Sequence, residues 1–380
     1  MTGKLIVLFS SLLFPAPVFS REHIYTPLAL RDAGDAMGAG RLAHGNPVRG
    51  WGYVIPPWLE ERRMHPPLSR YLPQAASAEE PFTAEGPYLF TYFLQNGQDG
   101  LHIAHSDDGL SWKELESCRG RIVPKVGKDR LMRDPFVLQG PDGVFHMVWT
   151  VSWREKGIGY ASSVDLIHWS EQRYLPVMEH EPQARNCWAP EIVYDAEERR
   201  YVVFWATTIP GRFPKTDGQN SRGPDDPGLN HRIYYVTSRD MKSFSETRLF
   251  FDQGFNVIDA TIVKDGPRYV MFLKDETNQP FTPQKNIRWT VSDRAEGPYR
   301  PVSAPITGNY WCEGPSALKM GGTWVVYFDR YRENRYGAVV SHDLMEWKDI
   351  SDRVSFPANA RHGAVLRVSR EFLAGLLELK

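Results

Sequence analysis

The chain has 380 residues, of which 42% are hydrophobic and 24% are charged, and its formal net charge is -1. Lysine and arginine are interleaved with aspartate and glutamate, so the sequence offers no basic face for the phosphate contacts on which nucleic-acid binders depend. This composition supports a large buried core and excludes nucleic acid as an expected partner.

The first 20 residues have the pattern of a secretory signal. Lys4 precedes an apolar run at positions 5–14, and small or neutral residues follow that run. The run is too short to span a bilayer comfortably. We therefore predict export to the periplasm or the extracellular space, removal of residues 1–20, and no membrane contact afterwards. Residues 21–85 are rich in Pro, Gly, Ala and Arg and are predicted to form an irregular N-terminal segment.

A loosely repeated unit begins near residue 86. Its most regular part is a turn that occurs as SDDGLSW (106–112), SVDLIHW (163–169), SRDMKSF (238–244) and SHDLMEW (341–347), with SDRAEGPY (292–299) as a diverged copy. Before each turn lie two short runs of alternating apolar and aromatic residues, which are typical of antiparallel strands. Repetition of such units predicts the blades of a β-propeller.

Four of the five strand pairs follow a further apolar segment that we interpret as the inner strand of a blade. These segments are RDPFVL (133–138), APEIVYD (189–195), IDATIVKD (258–265) and EGPSALKM (313–320). The first pair has none, whereas RHGAVLRV (361–368) is an inner-type strand with no pair after it. We therefore predict an all-β, five-bladed propeller over residues 86–370, whose first blade is closed by the C-terminal strand, followed by a tail at 371–380. Such closure removes exposed sheet edges.

The third unit contains a Pro/Gly-rich insertion at residues 209–231. Long loops on a rigid scaffold often shape binding sites, so we predict that this insertion contributes to the rim of a pocket.

Three acidic residues stand at the heads of inner strands: Asp134, Asp259 and Glu313. Because the inner strands of a propeller line its central channel, these carboxylates are expected to converge. Carboxylates in a confined pocket repel one another, which leaves one ionised as a base and another protonated as an acid. Hydrolysis of a glycosidic bond needs that division of roles. Any one of the three could instead serve only to form a turn.

The motifs RDPF, NCWAPEI (186–192), NVIDATI (256–262), EGPSALK (313–319) and RHG (361–363) carry a resemblance to the five-bladed enzymes of glycoside hydrolase family 43, which include arabinofuranosidases, xylosidases and galactofuranosidases. The resemblance implies an inverting mechanism with Asp134 as general base and Glu313 as general acid. It also implies that Asp259 raises the pKa of the acid and orients it. One departure is that a strand pair precedes the base motif, which in this family usually lies near the mature start.

On this basis we expect an exo-acting glycosidase that removes a terminal sugar from polysaccharide side chains. An α-L-arabinofuranoside is the leading substrate, with β-D-xyloside and β-D-galactofuranoside as alternatives. Aromatic faces stack on sugar rings and guanidinium groups donate to hydroxyls. The candidate substrate-binding residues, each equally consistent with a structural role, are Trp153, Trp188, Phe213, Arg288, Trp311 and Arg335.

His362 is expected to hold an axial water or cation, as the resemblance implies, although a core histidine is nearly as consistent with the sequence. No cofactor is expected to be required. A structural calcium ion at the propeller axis is compatible with the resemblance. Glu191 in the WAPEI motif is expected to order its strand or pair with a pocket arginine. The three cysteines lack metal-site spacing and are predicted to be buried small hydrophobes: Cys118, Cys187 and Cys312.

Two other functions fit parts of the pattern. A retaining fructosidase-type hydrolase would share the architecture and a Cys-Glu pair at 312–313, but the chain lacks the early NDPNG-like segment that supplies the nucleophile in those enzymes. A propeller that binds glycans without hydrolysing them is the second alternative. A pure binding module would have no reason to keep three acids at the heads of its inner strands.

Overall fold

A computed structural model describes residues 86–218, 220, 228–278 and 284–379. The predicted signal, the segment 21–85 and part of the 209–231 insertion lie outside these ranges. Within them the chain forms five antiparallel sheets, which are the blades of a five-bladed β-propeller. The inner strands of neighbouring sheets contact one another in a closed ring. This arrangement confirms the predicted fold class.

The first sheet joins the two ends of the propeller, because its inner strand is the C-terminal one. Its strands, in sheet order, are β19 (Arg361–Arg367), β1 (Tyr88–Phe93), β2 (His102–Ser106) and β3 (Lys113–Glu114). The second sheet consists of β4 (Arg133–Gln139), β5 (Phe145–Thr150), β6 (Ile158–Ser163) and β7 (Arg173–Leu175). The predicted closure of the first blade by the C-terminal strand is confirmed.

The remaining three sheets follow in chain order. The third has β8 (Trp188–Asp195), β9 (Arg200–Thr208), β10 (His231–Ser238) and β11 (Arg248–Phe251). The fourth has β12 (Val257–Asp265), β13 (Arg268–Asp275) and β14 (Asn286–Ser292). The fifth has β15 (Glu313–Met320), β16 (Thr323–Arg330), β17 (Arg335–Ser341) and β18 (Lys348–Asp349). Short 3-10 helices occupy Glu116–Cys118 and Ser351–Arg353.

The repeated turn follows the third strand of four blades and is stabilised by its serine and aspartate. In the second blade, Ser163 Oγ donates to Asp165 Oδ1 at 3.0 Å, and Asp165 Oδ1 accepts the backbone N–H groups of the residues two and three positions later. The fourth blade, whose turn has diverged, has no regular fourth strand among its described residues. Instead, residues 300–306 make three backbone hydrogen bonds to β14.

Five hydrophobic clusters form the core, and each fills the space between two neighbouring blades. Cys118, Cys187 and Cys312 are buried and unpaired, and each lies in one of these clusters, as predicted. After β19 the chain forms helix α1 (Arg370–Glu378), which begins at the last residue of the predicted propeller and continues through most of the predicted tail. Its buried leucines, at positions 373 and 376, pack between the first and second blades. The described helices include none long and apolar enough to cross a membrane.

Candidate active site

Each inner strand carries a β-bulge at its beginning, and the five bulges occupy equivalent positions. In every blade, two residues of the inner strand oppose one of its partner. The first residues of these pairs are Asp134, Ala189, Asp259, Gly314 and His362. The first four have positive φ angles between 44° and 56°. A bulge re-aims the side chains beside it, so one residue per blade is directed towards the axis.

This register refines the sequence prediction. Asp134 and Asp259 occupy the same position in their bulges, whereas Glu313 precedes that position by one residue. His362 is the fifth member of the axial set. Ala189 and Gly314 are the two small members, and a Cβ added to Gly314 would lie 2.5 Å from the His362 ring.

A cavity of about 450 Å³ opens at these strand ends, and all three predicted catalytic carboxylates line it. Asp134, Asp259 and Glu313 come from different blades, so the propeller brings together groups that are far apart in sequence. His362 also lines the cavity.

Asp134 is held by contacts from its own blade and from the axis. Thr150 Oγ1, at the end of β5, donates to Asp134 Oδ2 at 2.8 Å. The same hydroxyl accepts the backbone N–H of Ala189 at 2.8 Å and thus links the second and third blades. His362 Nδ1 lies 3.4 Å from Asp134 Oδ1. The carboxylate therefore has a fixed orientation towards the cavity.

Asp259 is buried, and its environment favours the protonated form. Burial raises the pKa of Asp259 to about 6, although the nearby His362 and Lys274 act in the opposite direction. Gly314 N–H donates to Asp259 Oδ2 at 3.1 Å, and His362 Nδ1 lies 3.9 Å from the same oxygen. Because Gly314 directly follows Glu313, this hydrogen bond connects Asp259 to the backbone that carries Glu313.

Glu313 lies between two cations. Lys274 Nζ donates to Glu313 Oε2 at 3.0 Å, and Arg361 donates to Oε1 at 3.2 Å. Burial by itself would raise the pKa of Glu313, but the positive charge and hydrogen bond of Lys274, followed by the smaller effects of His362 and Arg361, hold that pKa below its ordinary value. The net direction follows from two direct cationic partners that were not foreseen, and the raising effect of Asp259 on this pKa stays a prediction.

The ion pairs continue on both sides of Glu313. Lys274 Nζ lies 2.7 Å from Glu276 Oε2, and Glu276 Oε1 accepts from Lys285 at 2.5 Å. On the other side, Arg361 Nε donates to the fully buried Asp329 at 2.6 Å. Sequence reasoning missed these partners. One signal could have indicated them. In an antiparallel blade the last residues of the second strand lie opposite the first residues of the inner strand, so charged residues such as Lys274 and Asp329 are expected beside the cavity.

The aromatic residues form two walls of the cavity. Trp153 and Trp188 meet edge to face with ring centroids 5.6 Å apart, and Trp188 Nε1 donates to the Trp153 carbonyl. Trp311 lies 6.2 Å from the ring of Tyr331 on another part of the lining. The structure thus places all three predicted tryptophans at the cavity, and Tyr331 is an addition that sequence reasoning missed.

Three other predicted sugar-binding residues do not line the cavity. The Phe213 ring packs against the buried guanidinium of Arg232, 4.3 Å from the ring centroid. Arg288 and Arg335 are engaged by acidic neighbours, Arg288 by Asp275 at 3.1 Å and Arg335 by Glu333 at 3.2 Å. These contacts agree with the structural roles that the sequence allowed as the alternative for all three residues.

The described part of the insertion at 209–231 contributes Asn220, Leu229 and His231 to the cavity lining. Glu191, by contrast, is buried in β8 outside that lining, and its Oε2 has no hydrogen-bond partner among the described residues. Burial raises the pKa of Glu191 well above its ordinary value. No arginine partner for it is found in the described ranges.

Calcium prefers six to eight oxygen ligands. The described ranges contain no group of three or more His, Cys, Asp or Glu residues positioned to hold a metal ion. The axial residues by themselves therefore do not fit a calcium site, and we derive no catalytic step through a cation.

One known protein matches part of this chain. Over 169 residues, the chain is 25% identical to an α-L-arabinofuranosidase of Bifidobacterium longum subsp. longum, and this match covers 38% of the chain and 15% of the relative. The chain therefore spans only a small part of that relative's length.

Solved structures give weaker similarities. An α-L-arabinofuranosidase from Lactobacillus brevis superposes with a TM-score of 0.46 at 14% identity, covering 57% of this chain and 72% of that one. An exo-β-1,3-galactanase from Clostridium thermocellum gives 0.45 at 14% identity, covering 58% and 48%.

The model of the glycoside hydrolase family 43-related proteins, described as a "probable glycosyl hydrolase domain", matches residues 80–373. That match spans the whole propeller, including the inner strands that carry Asp134, Asp259 and Glu313. The chain belongs to the family 43-related glycosyl hydrolases.

Proposed function

We propose that the protein is an inverting, exo-acting glycoside hydrolase that removes a terminal sugar from an oligo- or polysaccharide, with an α-L-arabinofuranoside as the leading substrate. The observation that carries the proposal is that Asp134, Asp259 and Glu313 line one cavity of about 450 Å³ although they come from three blades. Ligand pockets are typically of this size or larger. The arabinofuranosidase relative supports the choice of sugar.

In the proposed reaction, water attacks the anomeric carbon while the bond to the leaving oxygen breaks. Asp134 takes a proton from the water. Thr150 and His362 hold the Asp134 carboxylate in position. Glu313 gives its proton to the leaving oxygen on the opposite face of the sugar. The carboxylate that remains is stabilised by Lys274 and Arg361. A proton from solvent then restores the acid, and Asp134 releases the proton that it took from the water.

Asp259 acts on Glu313 through the Gly314 N–H group, which fixes the strand that bears the acid. Its negative charge opposes the ionisation of Glu313 and so acts against the two cations. The aromatic walls supply flat apolar faces for the sugar ring.

A panel of aryl arabinofuranosides, xylosides and galactofuranosides tests the proposal, with the configuration of the first-formed product followed by NMR. We expect hydrolysis of one sugar class with inversion. Asp134→Asn and Glu313→Gln should each lower kcat by about 10²–10⁴-fold, whereas Asp352→Asn, at a carboxylate whose side chain is 94% exposed, should leave it unchanged.

Other outcomes identify the alternatives. A product that retains the anomeric configuration would indicate the fructosidase-type mechanism. Sugar binding without hydrolysis of any substrate would indicate a glycan-binding propeller. Export is a separate part of the proposal, and N-terminal sequencing of the protein recovered outside the cytoplasm should show that residues 1–20 have been removed.

A further inference from the structure

His231 is a histidine of the cavity wall that the proposed mechanism does not use. It opens β10, lines the cavity and is only 1% exposed. Its ring lies against Trp188 with centroids 4.8 Å apart and an interplanar angle of 37°. It thus stands at the edge of one of the two aromatic walls.

The neighbouring Asn256 fixes which nitrogen of this ring carries the proton. Asn256 Nδ2 donates to the Leu229 carbonyl at 2.9 Å, and Asn256 Oδ1 accepts the backbone N–H of His231 at 2.7 Å. These two bonds determine the orientation of the amide, so its oxygen is the atom that faces His231 Nδ1 at 3.2 Å. Nδ1 must therefore donate, and Nε2 of a neutral ring is left as an acceptor.

The ring is neutral at neutral pH. Burial lowers the pKa of His231 to about 4, although the nearby Glu276 carboxylate acts in the opposite direction. Nε2 is itself buried and has no hydrogen-bond partner among the described residues. A buried acceptor without a partner is costly, so a group that donates to it would be strongly preferred.

We propose that His231 Nε2 accepts a hydrogen bond from one hydroxyl of the bound sugar and thereby selects substrates that carry a hydroxyl at that ring position. The sugar face would rest on Trp188 while the hydroxyl points to the neighbouring imidazole. This inference rests on the proposed function, because it concerns the sugar that the same cavity holds. It assigns a specificity-determining contact outside the carboxylate set.

A double-mutant cycle between protein and substrate tests the contact. The parent compound is the aryl glycoside that the wild type hydrolyses best, and it is compared with its monodeoxy analogues, one for each ring hydroxyl. Removing a single hydroxyl that pairs with Nε2 should lower kcat/KM of the wild type by about 10–100-fold. His231→Phe keeps an aromatic ring against Trp188 and should show a similar loss with the parent compound.

The decisive measurement combines the variant with the deoxy analogues. For one ring position, removal of the hydroxyl should cause no further loss of kcat/KM in His231→Phe. For the other positions, the loss caused by the missing hydroxyl should add to the loss caused by the substitution. Additive losses at every position would overturn the inference. His146→Phe serves as the matched control, because His146 is also buried but lies outside the cavity lining and bonds to Tyr160 and Tyr201. It should show the same deoxy effects as the wild type.

A second measurement does not depend on activity. The ¹⁵N resonances of the His231 ring should show a protonated Nδ1 and an unprotonated Nε2 at neutral pH, and Nε2 should shift when arabinose, xylose or galactose is added. A protonated Nε2, or no shift with any of these sugars, would contradict the inference. If the wild type hydrolysed no glycoside but Nε2 still responded to a sugar, the proposed reaction would fail while the contact stood.

Discussion

Replacing Lys274 by methionine should raise the pKa of Glu313. In a plot of kcat/KM against pH, the limb that reports the ionisation of Glu313 should therefore move to higher pH. Lys274 is the largest of the influences that lower this pKa, and its ammonium lies 3.0 Å from Glu313 Oε2. At that distance and an effective dielectric constant of about 20, the pair attraction is about 5.5 kcal/mol, which sets an upper limit of about 4 pKa units.

Two features reduce this limit. Arg361 remains 3.2 Å from the other oxygen of Glu313, and water enters the space that the ammonium leaves. The effect of one opposite charge at this range is about 1–3 pKa units, so we expect a shift of that size upwards. Since Glu313 must be protonated to act as an acid, the variant should retain activity at pH values where the wild type has lost it.

The assay is the pH dependence of kcat/KM with two leaving groups. Only a poor leaving group needs protonation, so the limb that disappears with a dinitrophenyl glycoside belongs to Glu313. Lys274→Arg and Lys319→Met should both leave this limb in place, because the first keeps the charge and the second removes a lysine that pairs with Asp265. An unmoved limb in folded Lys274→Met would show that Lys274 does not set this pKa.

Folding must be checked by thermal unfolding, because breaking a buried ion pair costs about 3–5 kcal/mol. Lys274 also pairs with Glu276, whose carboxylate is left with Lys285 in the variant. Because Lys285 stays beside Glu276, the variant does not leave that carboxylate without a cation.

Three further predictions concern the residues around the carboxylates. Thr150→Val removes the donor to Asp134 and should lower kcat by about 10–100-fold with little change in KM, and an unchanged kcat would show that the base needs no such support. Gly314→Ala should lower the free energy of unfolding by clearly more than Gly322→Ala. Both glycines have a positive φ, but only a methyl group at 314 would meet other atoms, those of the His362 ring. Equal losses in denaturant titrations would contradict this prediction. Asp259 has a folded-state pKa raised from 3.8 to about 6, so stability present below pH ~4 should decline as the pH rises through about 6. Asp259→Asn should show a smaller decline in melting temperature over that interval.

The architecture could be predicted from the sequence because its signals are local and repeated. The Ser-Asp turns stabilise themselves through short-range hydrogen bonds, so they remain visible as motifs in four blades. The unpaired segment at 361–368 indicated the closure, and the structure shows that segment in the first sheet. The convergence of Asp134, Asp259 and Glu313 followed from the same repetition.

The electrostatic setting of the site could not be obtained in this way. Lys274 resembles an ordinary charged residue at the end of an apolar strand, and only its cross-strand pairing with Ile258 brings it to the cavity. The same holds for Arg361, which stands beside Glu313 although 48 positions separate them. Phe213 shows the converse case, because an aromatic residue in the insertion suggested either a sugar platform or a structural role, and its ring packs against Arg232.

The C-terminal position of β19 also has a consequence for biogenesis. Arg361 and His362 are among the last described residues to leave the ribosome, and both contact groups of the cavity. A nascent chain lacking them would present its acidic groups without the arginine that neutralises Glu313 and without the axial imidazole. The surroundings of the cavity carboxylates thus depend on β19, the strand that closes the ring, and a chain that stopped before β19 would lack both contacts.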